Sequence, residues 1–293
     1  LDLGFIGGRR GVIAKDSISA GEVVVRVPFS ALFNYPNAGF GLEQRAGEGA
    51  LRQVWREFPM LPEVDRLTIA LLYEASQPSS KWDFYLCGVP RPADLGPPVL
   101  WEEERLAAAC SGREHALCPW VDIRKAFYAD WWVRRQRLRA RLSPLFPPGT
   151  FTLQHFVWAA AAVNSRMWNM HPKTADKPTE FRPDASLAGS PQWVLAPVAE
   201  LLNHQPGAGH IQWNANWDME VVSDKEVKAG HEVFLSYGDK CNLTLLLEYG
   251  FALPHNSEWC DDRDPAEIEA QHAAAPQQPE QAGGRGAGNG GEG

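Results

Sequence analysis

Residues 226–238 read EVKAGHEVFLSYG. Ala229-Gly230 is a turn signal, and Glu232-Val233-Phe234-Leu235 behind it is rich in residues that fit a pleated, half-buried surface. The stretch predicts a strand entered through a tight turn. Its echo lies near the other end of the chain. Residues 11–28 read GVIAKDSISAGEVVVRVP, with Val12–Lys15 and Glu22–Val27 flanking Ala20-Gly21. Both places carry a β-branched residue, a polar step, Ala-Gly and a Glu-Val strand, so each is expected to form a hairpin. The device is too short to be a domain repeat. Residues 211–222, IQWNANWDMEVV, predict two further short strands around a turn near Asn216.

The middle of the chain has a helical period instead. In DRLTIALLYEAS (65–76), Leu67, Ala70, Leu71 and Glu74 recur at helical spacing. In 121–142, Ile123, Phe127, Trp131, Leu138 and Leu142 predict one apolar stripe along one long helix, with Arg134, Arg137 and Arg141 mostly opposite. That basic run reads as a solvated outer face, because no aromatic residues interleave with the arginines. A third helix, 151–168, is Ala-rich and should be nearly buried. Pro-rich loops at 90–98 and 143–149 separate the helices, and the polar 169–191 predicts a surface loop.

The expected class is therefore α+β. Residues 1–34 form the first part of a β-core, 35–190 a mainly helical insert and 191–260 the second part of the core, so that residues 10–30 pair with residues 190–250. Residues 261–293 end in AGGRGAGNGGEG and cannot bury enough apolar area to offset chain entropy, so they are expected to be a disordered acidic tail.

Composition narrows the function. At 293 residues, 44% hydrophobic and 22% charged, the chain is not collagen-like, wholly disordered or a disulfide scaffold. No apolar run approaches the roughly eighteen residues of a membrane span. No signal peptide is visible, and the chain starts at Leu1 rather than Met, which reads as a mature or truncated piece. Its compartment stays open among plastid, cytoplasm and nucleus, as a soluble intracellular protein. The net charge is −8, but the tail holds seven acidic side chains against two arginines. The body is left near about −3, which argues against a nucleic-acid partner. Five cysteines without a CxxC or cluster predict reduced thiols. The twelve tryptophans should line the core or a groove.

Several chemistries have no motif here: GxGxxG after a strand, P-loop, GxSxG and HExxH are all missing from the sequence. His204 and His210 lack thiolate or carboxylate partners at useful spacing and read as loop residues rather than a metal pair. Four other segments stand out. Gly8-Arg9-Arg10-Gly11-Val12 brings glycine-rich backbone into a strand, where it can approach a ligand closely. Asn164-Ser165-Arg166 closes the apolar third helix with a guanidinium that needs an anionic partner. Pro197–His204 is an apolar run ending in Asn203-His204. Phe234-Leu235-Ser236-Tyr237-Gly238 is followed by Tyr249-Gly250-Phe251.

In this order the segments resemble the SET-domain protein methyltransferases. They are most similar to the branch typified by the Rubisco large-subunit lysine methyltransferase, whose SET core is split by a helical insert. The resemblance rests on RGVIA (10–14), NSR (164–166), ELLNH (200–204), EVFLSYG (232–238) and LLLEYGF (245–251), with SKWDFYLCGVP (80–90) and VLWEEERL (99–106) in the insert. It covers about residues 5–256. It implies a core of short strands with pseudoknot-like threading of ELLNH against the YGF segment, and S-adenosylmethionine (AdoMet) as cofactor. Backbone around Gly8, Arg9, Arg10 and Gly11 would hold that cofactor, together with Arg166 near its carboxylate and Asn203 and His204 near its amine and adenine. Tyr237 would stand at the methyl-transfer point as the catalytic residue. Arg166, Glu200, Tyr237 and Tyr249 would meet the substrate, a protein presenting a lysine to a monomeric enzyme.

The sequence departs from the family at several places. Gly8 and Arg10 replace acidic or bulkier residues, and Gln205 replaces the usual Ser. The CxC-type zinc cluster of many relatives is missing, so no metal is expected. The relatives' helical substrate-binding domain would follow the core, yet the chain runs into its tail. Either the substrate docks without that domain, or the chain is an incomplete product. Two alternatives stay open at this level: a protein-histidine methyltransferase of the same family, and a catalytically silent SET-like interaction module.

Overall fold

The computed structural model describes residues 1–6, 9–35, 48–111, 117–170 and 193–256. Gly8, residues 171–191 of the expected surface loop and the expected tail lie outside these described residues. The strands are β1 (Asp2–Ile6), β2 (Arg9–Ile13), β3 (Val23–Val27), β4 (Met167–Asn169), β5 (Trp193–Leu195), β6 (Asn203–His204), β7 (Gly209–Trp213), β8 (Met219–Ser223) and β9 (Glu232–Leu235). They form three small sheets, ordered β1-β2-β9-β6, β3-β8-β7 and β4-β5. The first sheet has antiparallel β2 against β9, with Val12 opposite Val233, and parallel β6 against β9, with Asn203 opposite Phe234. β7 and β8 form the hairpin expected of IQWNANWDMEVV, with Ile211 opposite Val221.

The two look-alike segments behave differently from the expectation that each would be its own hairpin. β2 pairs with β9, and β3 pairs with β8. The turns between them pair with each other through Ile18 and Val227, which exchange both backbone hydrogen bonds at 2.8 and 2.9 Å. The surrounding bonds are reciprocal. Gly230 N–H donates to Ala14 O as Gly21 N–H donates to Ser223 O, and Ala14 N–H donates to His231 O as Ser223 N–H donates to Glu22 O. Each segment thus supplies the partner strand of the other. Crossed pairing gives partners to backbone groups at both turns that two separate hairpins would leave bare at their edges.

Between β3 and β4 lie α1 (Glu48–Glu57), α2 (Glu63–Ser76), α3 (Asp83–Leu86), α4 (Glu103–Cys110), α5 (Leu117–Arg134), α6 (Gln136–Leu142) and α7 (Leu153–Asn164). α7 begins where Thr152 Oγ1 accepts the His155 amide and buries Phe156 and Ala159–Val163. Its small residues let α2 approach closely, and the aromatic core stacks beside it, with Trp131 and Phe156 ring centroids 4.0 Å apart. The chain leaves the helix at Asn164 and enters β4, so the helix expected over 151–168 is shorter than its apolar run.

Two further expectations change. The helix over 121–142 divides at Arg135, whose φ of −96° and ψ of 42° leave the α region. Its buried stripe runs through Val121, Tyr128 and Trp131, whereas Phe127 is 49% exposed. Most of the arginines on the outer face are paired, Arg134 with Asp130 and Arg141 with Glu57. The reduced-thiol expectation also fails, because Cys110 and Cys118 form a disulfide, with Cα atoms 6.0 Å apart. The end of α4 and the start of α5 bring them within bridging distance, which no spacing motif signals. Among the described residues, no helix is long and apolar enough to cross a membrane.

After β9 the chain makes one π-helical turn, Leu245–Tyr249, and stops at Gly250 in the left-handed conformation, φ +82°. There it lies against Gly96 of the insert, so a Cβ at Gly250 would collide with the backbone of Gly96. Gly250→Ala is expected to destabilise the fold by about 3 kcal/mol, from backbone strain and overpacking together. A lower denaturant midpoint at unchanged slope would register this; an unchanged midpoint would mean that the two segments separate freely.

Candidate active site

The chain approaches the site through a strained step. Val198 has φ 70° and ψ −49°, and the Ala199 amide donates to Pro197 O at 2.9 Å. This is a γ-turn of the rare positive-φ kind, on a β-branched residue. Such a conformation costs on the order of 1–3 kcal/mol and persists only where its surroundings fix it. Here fully buried Ala199 and Leu202 do so from the next turn.

Glu200 is the centre of a buried charge cluster. Its side chain is 2% exposed, its Oε2 accepts the Tyr85 hydroxyl at 3.0 Å, and its Oε1 lies 3.6 Å from Arg166 Nε. Burial pushes the carboxyl up to about 7, although Arg166, the Tyr85 hydrogen bond and Arg10 pull the other way. Arg10 Nη1 donates to Gly88 O at 3.2 Å. Burial and the like charge of Arg166 lower the Arg10 pKa, against Glu200 and Tyr237. Arg166 Nη1 donates to Ser165 Oγ at 2.6 Å, while its Nε is buried without a hydrogen bond.

A second cluster surrounds Asn203. Its amide nitrogen donates to Arg10 O at 2.7 Å and to Glu232 Oε1 at 2.6 Å. Both protons are thus used within the protein, and Oδ1 is left as an acceptor. A Cβ on Gly11 would lie 2.5 Å from Glu232 Oε1 and so push that carboxylate off its place beside Asn203. Arg9 points to the other face of β2 from Arg10. Its side chain is 62% exposed and 3.5 Å from Glu232 Oε2.

The third part is aromatic. Tyr237 N–H donates to His204 Nδ1 at 3.0 Å, which requires a neutral imidazole protonated on Nε2. Burial lowers the His204 pKa in the same sense. The Tyr237 hydroxyl donates to Leu202 O at 2.8 Å. Around the Tyr237 ring stand His204 and Tyr249 at 5.0 Å, Trp168 at 6.2 Å and Phe251 at 6.5 Å between centroids. Burial pushes Tyr249 up to about 12, and Tyr237 is raised further, with burial again the main cause.

The structure thus brings Arg10, Gly11, Arg166, Glu200, Asn203, His204, Tyr237 and Tyr249 into one region, with Arg9 at its edge; Gly8 lies outside the described residues. The sequence reading assigned no role to Tyr85, Trp168, Glu232 or Phe251. All four lie within or beside the quoted motifs, Tyr85 in SKWDFYLCGVP, but nothing local tells that Tyr85 meets Glu200 across 115 residues.

Fold and motif order define a SET domain, and a family model described as SET domain matches residues 9–238. The chain belongs to that family. Among curated proteins it is similar to the N-lysine methyltransferase SETD6 of Mus musculus, 29% identical over 90% of this chain and 52% of that protein. It is also similar to SET domain-containing protein 4 of Mus musculus, 26% identical over 87% of this chain and 55% of that protein. The chain spans about half the length of these relatives. The crystal structure of the SET domain of LSMT bound to lysine and AdoHcy superposes with a TM-score of 0.65 at 22% identity, covering 87% of this chain and 52% of that one. This establishes the fold.

Proposed function

We propose that the chain is an AdoMet-dependent protein-lysine N-methyltransferase acting on a protein substrate. The observation that carries the reading is the Tyr237 phenol, fixed between Leu202 O and His204 within an aromatic cluster and beside the Arg10–Glu200–Arg166 charges. The residues fit the cofactor. Asn203 Oδ1 can accept from an ammonium group. Two guanidiniums against one carboxylate leave a cation for a carboxylate ligand. The ring faces suit a sulfonium. AdoMet, when bound, supplies a methyl group on a sulfonium for in-line transfer to an amine.

The protein's own part is to deliver that amine neutral and aligned. Lysine ordinarily has a pKa of about 10.4, so the ammonium must lose a proton. Aromatic walls and the cations of Arg10 and Arg166 disfavour its charged form. Tyr237, raised above its ordinary value, keeps its own proton at neutral pH and so does not serve as the base. Its hydroxyl hydrogen is engaged by Leu202 O, which leaves oxygen lone pairs to accept an amine N–H and orient the nitrogen.

The direct test is incubation of the full chain with tritiated AdoMet and a protein extract from its source. Mass spectrometry of the labelled product then reads the modified residue. Methyl-lysine supports the proposal; methyl-histidine moves the chain to the other branch of its chemistry, and absence of AdoMet binding overturns the reading. Asn203→Ala removes the amine acceptor and leaves Glu232 Oε1 without its donor. It is expected to weaken AdoMet binding about tenfold or more by calorimetry.

A further inference from the structure

The methyltransferase reading leaves unused a polar chain that enters the site from the insert. Arg124 and Tyr128 stand one turn apart on α5 and so share a face. Arg124 Nη2 donates to Glu248 Oε1 at 2.5 Å, and its guanidinium lies on the same helix face as the Tyr128 hydroxyl, near enough for each to shift the other's pKa. The Tyr128 hydroxyl accepts the Asn164 side-chain amide at 3.2 Å. Four side chains thereby connect three segments: the π-helical turn, α5 and the end of α7. Each outer member adjoins a site residue. Glu248 precedes Tyr249, whose ring lies 5.0 Å from Tyr237. Asn164 stands two residues before Arg166, which lies against Glu200.

We infer that Arg124 and Tyr128 are positioning residues for Tyr249, on the acceptor side of the site, and for Arg166, which faces both cofactor and acceptor. They set Tyr249 and Arg166 relative to each other from one helix. The inference rests on the methyltransferase reading for what is positioned, and on the distances above for the coupling. Adhesion alone does not require these groups. The same α5 face already buries Leu117 and Val121 against Leu247, and an apolar contact would close the rest of the interface as well. A partly buried ion pair adds little net stability, but its hydrogen bonds are directional and fix register. Tyr128 is 5% exposed, so its hydroxyl has little recourse to water if Asn164 or Arg124 withdraws. The cofactor-side groups Asn203, His204 and Gly11 lie on β2 and β6 and take no part in this chain.

The test uses the full chain and the variants Glu248→Gln, Arg124→Met, Arg124→Lys and Tyr128→Phe, with circular dichroism to show that each is folded. Hydrogen exchange by mass spectrometry is the first measurement and needs no turnover. Glu248→Gln is expected to speed exchange at residues 164–166 about fivefold or more, although Glu248 is hydrogen-bonded to none of them. Arg124→Met should loosen both 164–166 and 245–251. The second measurement is single-turnover methyl transfer to N-α-acetyl-lysine amide, beside AdoMet affinity by calorimetry. Arg124→Met should lower transfer about tenfold and AdoMet affinity by no more than about threefold, because Arg166 also faces the cofactor carboxylate, with partial rescue by Arg124→Lys. Loosening confined to 245–251 in Glu248→Gln would overturn the inference. So would an Arg124→Met loss shared equally by cofactor binding and transfer. If wild-type protein failed to bind AdoMet, the functional reading would fail, while the exchange experiment would still decide the coupling.

Discussion

Tyr237→Phe is expected to lower methyl transfer at least about a hundredfold, because the amine loses the group that fixes its line of approach. AdoMet affinity should stay within about threefold. The substitution keeps the ring, so the packing against His204 at 5.0 Å and Tyr249 at 5.0 Å survives. What goes is one hydroxyl, and with it the hydrogen bond to Leu202 O. Leaving that carbonyl unsatisfied costs about 1–3 kcal/mol of stability, which the thermal midpoint will show. The kinetic loss should exceed anything this stability change can explain, because assays far below the midpoint contain only folded enzyme. The pH profile separates the two roles a tyrosine can have here. A tyrosine acting as base would add a rise of rate with its own ionisation. Tyr237 is raised above the ordinary tyrosine value, so the wild-type profile between pH 6 and 9 should reflect only the acceptor and Glu200. Retention of more than about a tenth of wild-type rate in the phenylalanine variant would remove Tyr237 from the catalytic role.

Which parts were readable in advance follows from the range of the interactions. Asn203-His204 and Ser236-Tyr237 sit in contiguous motifs whose strands pair next to each other, so local pattern brings them together. The β7–β8 hairpin is equally local. Pairing of residues 10–30 with residues 190–250 was readable from the split of the strand segments, but its crossed form through the two Ala-Gly turns was not. Each segment satisfies a hairpin pattern by itself, and only the presence of a second copy lets the strands exchange partners. Glu200 could be picked out by its motif, but its environment could not. Tyr85 and Arg166 reach it from the insert and from the end of α7, and the periodicity of those helices speaks only of their apolar faces. The α5 stripe failed for a related reason. Helical spacing admits Phe127 and Tyr128 almost equally, and it is Tyr128, whose hydroxyl accepts from Asn164, that is buried. Long-range polar contacts thus account for most of what periodicity missed.

Glu200→Gln is the second large effect, and its sign runs against the usual behaviour of a carboxylate in an ion pair. The folded carboxyl is raised from 4.5 to about 7, chiefly by burial. A raised carboxyl binds its proton more tightly in the folded than in the unfolded chain. Its contribution to stability is therefore fully present below pH 4.5 and is lost as pH rises through about 7. The loss is on the order of 3 kcal/mol. A glutamine side chain has no such titration, keeps an acceptor for the Tyr85 hydroxyl and fills nearly the same volume. The variant should match wild type near pH 4, and be the more stable protein at pH 8 by thermal or chemical denaturation. Function should move the other way. Without the carboxylate, Arg10 and Arg166 repel each other unopposed, and Arg166 loses the partner that holds it 3.6 Å from Oε1. AdoMet, which brings a carboxylate of its own, should bind at least as tightly, while transfer falls about tenfold or more. Dividing the wild-type rate by the variant rate at each pH cancels the ionisation of the acceptor amine. That ratio should climb through about pH 7 as Glu200 ionises. A ratio flat from pH 6 to 8 would show that the carboxylate charge has no part in transfer. A variant less stable than wild type at pH 8 would show that the two guanidiniums need their counter-ion more than the buried site resists it.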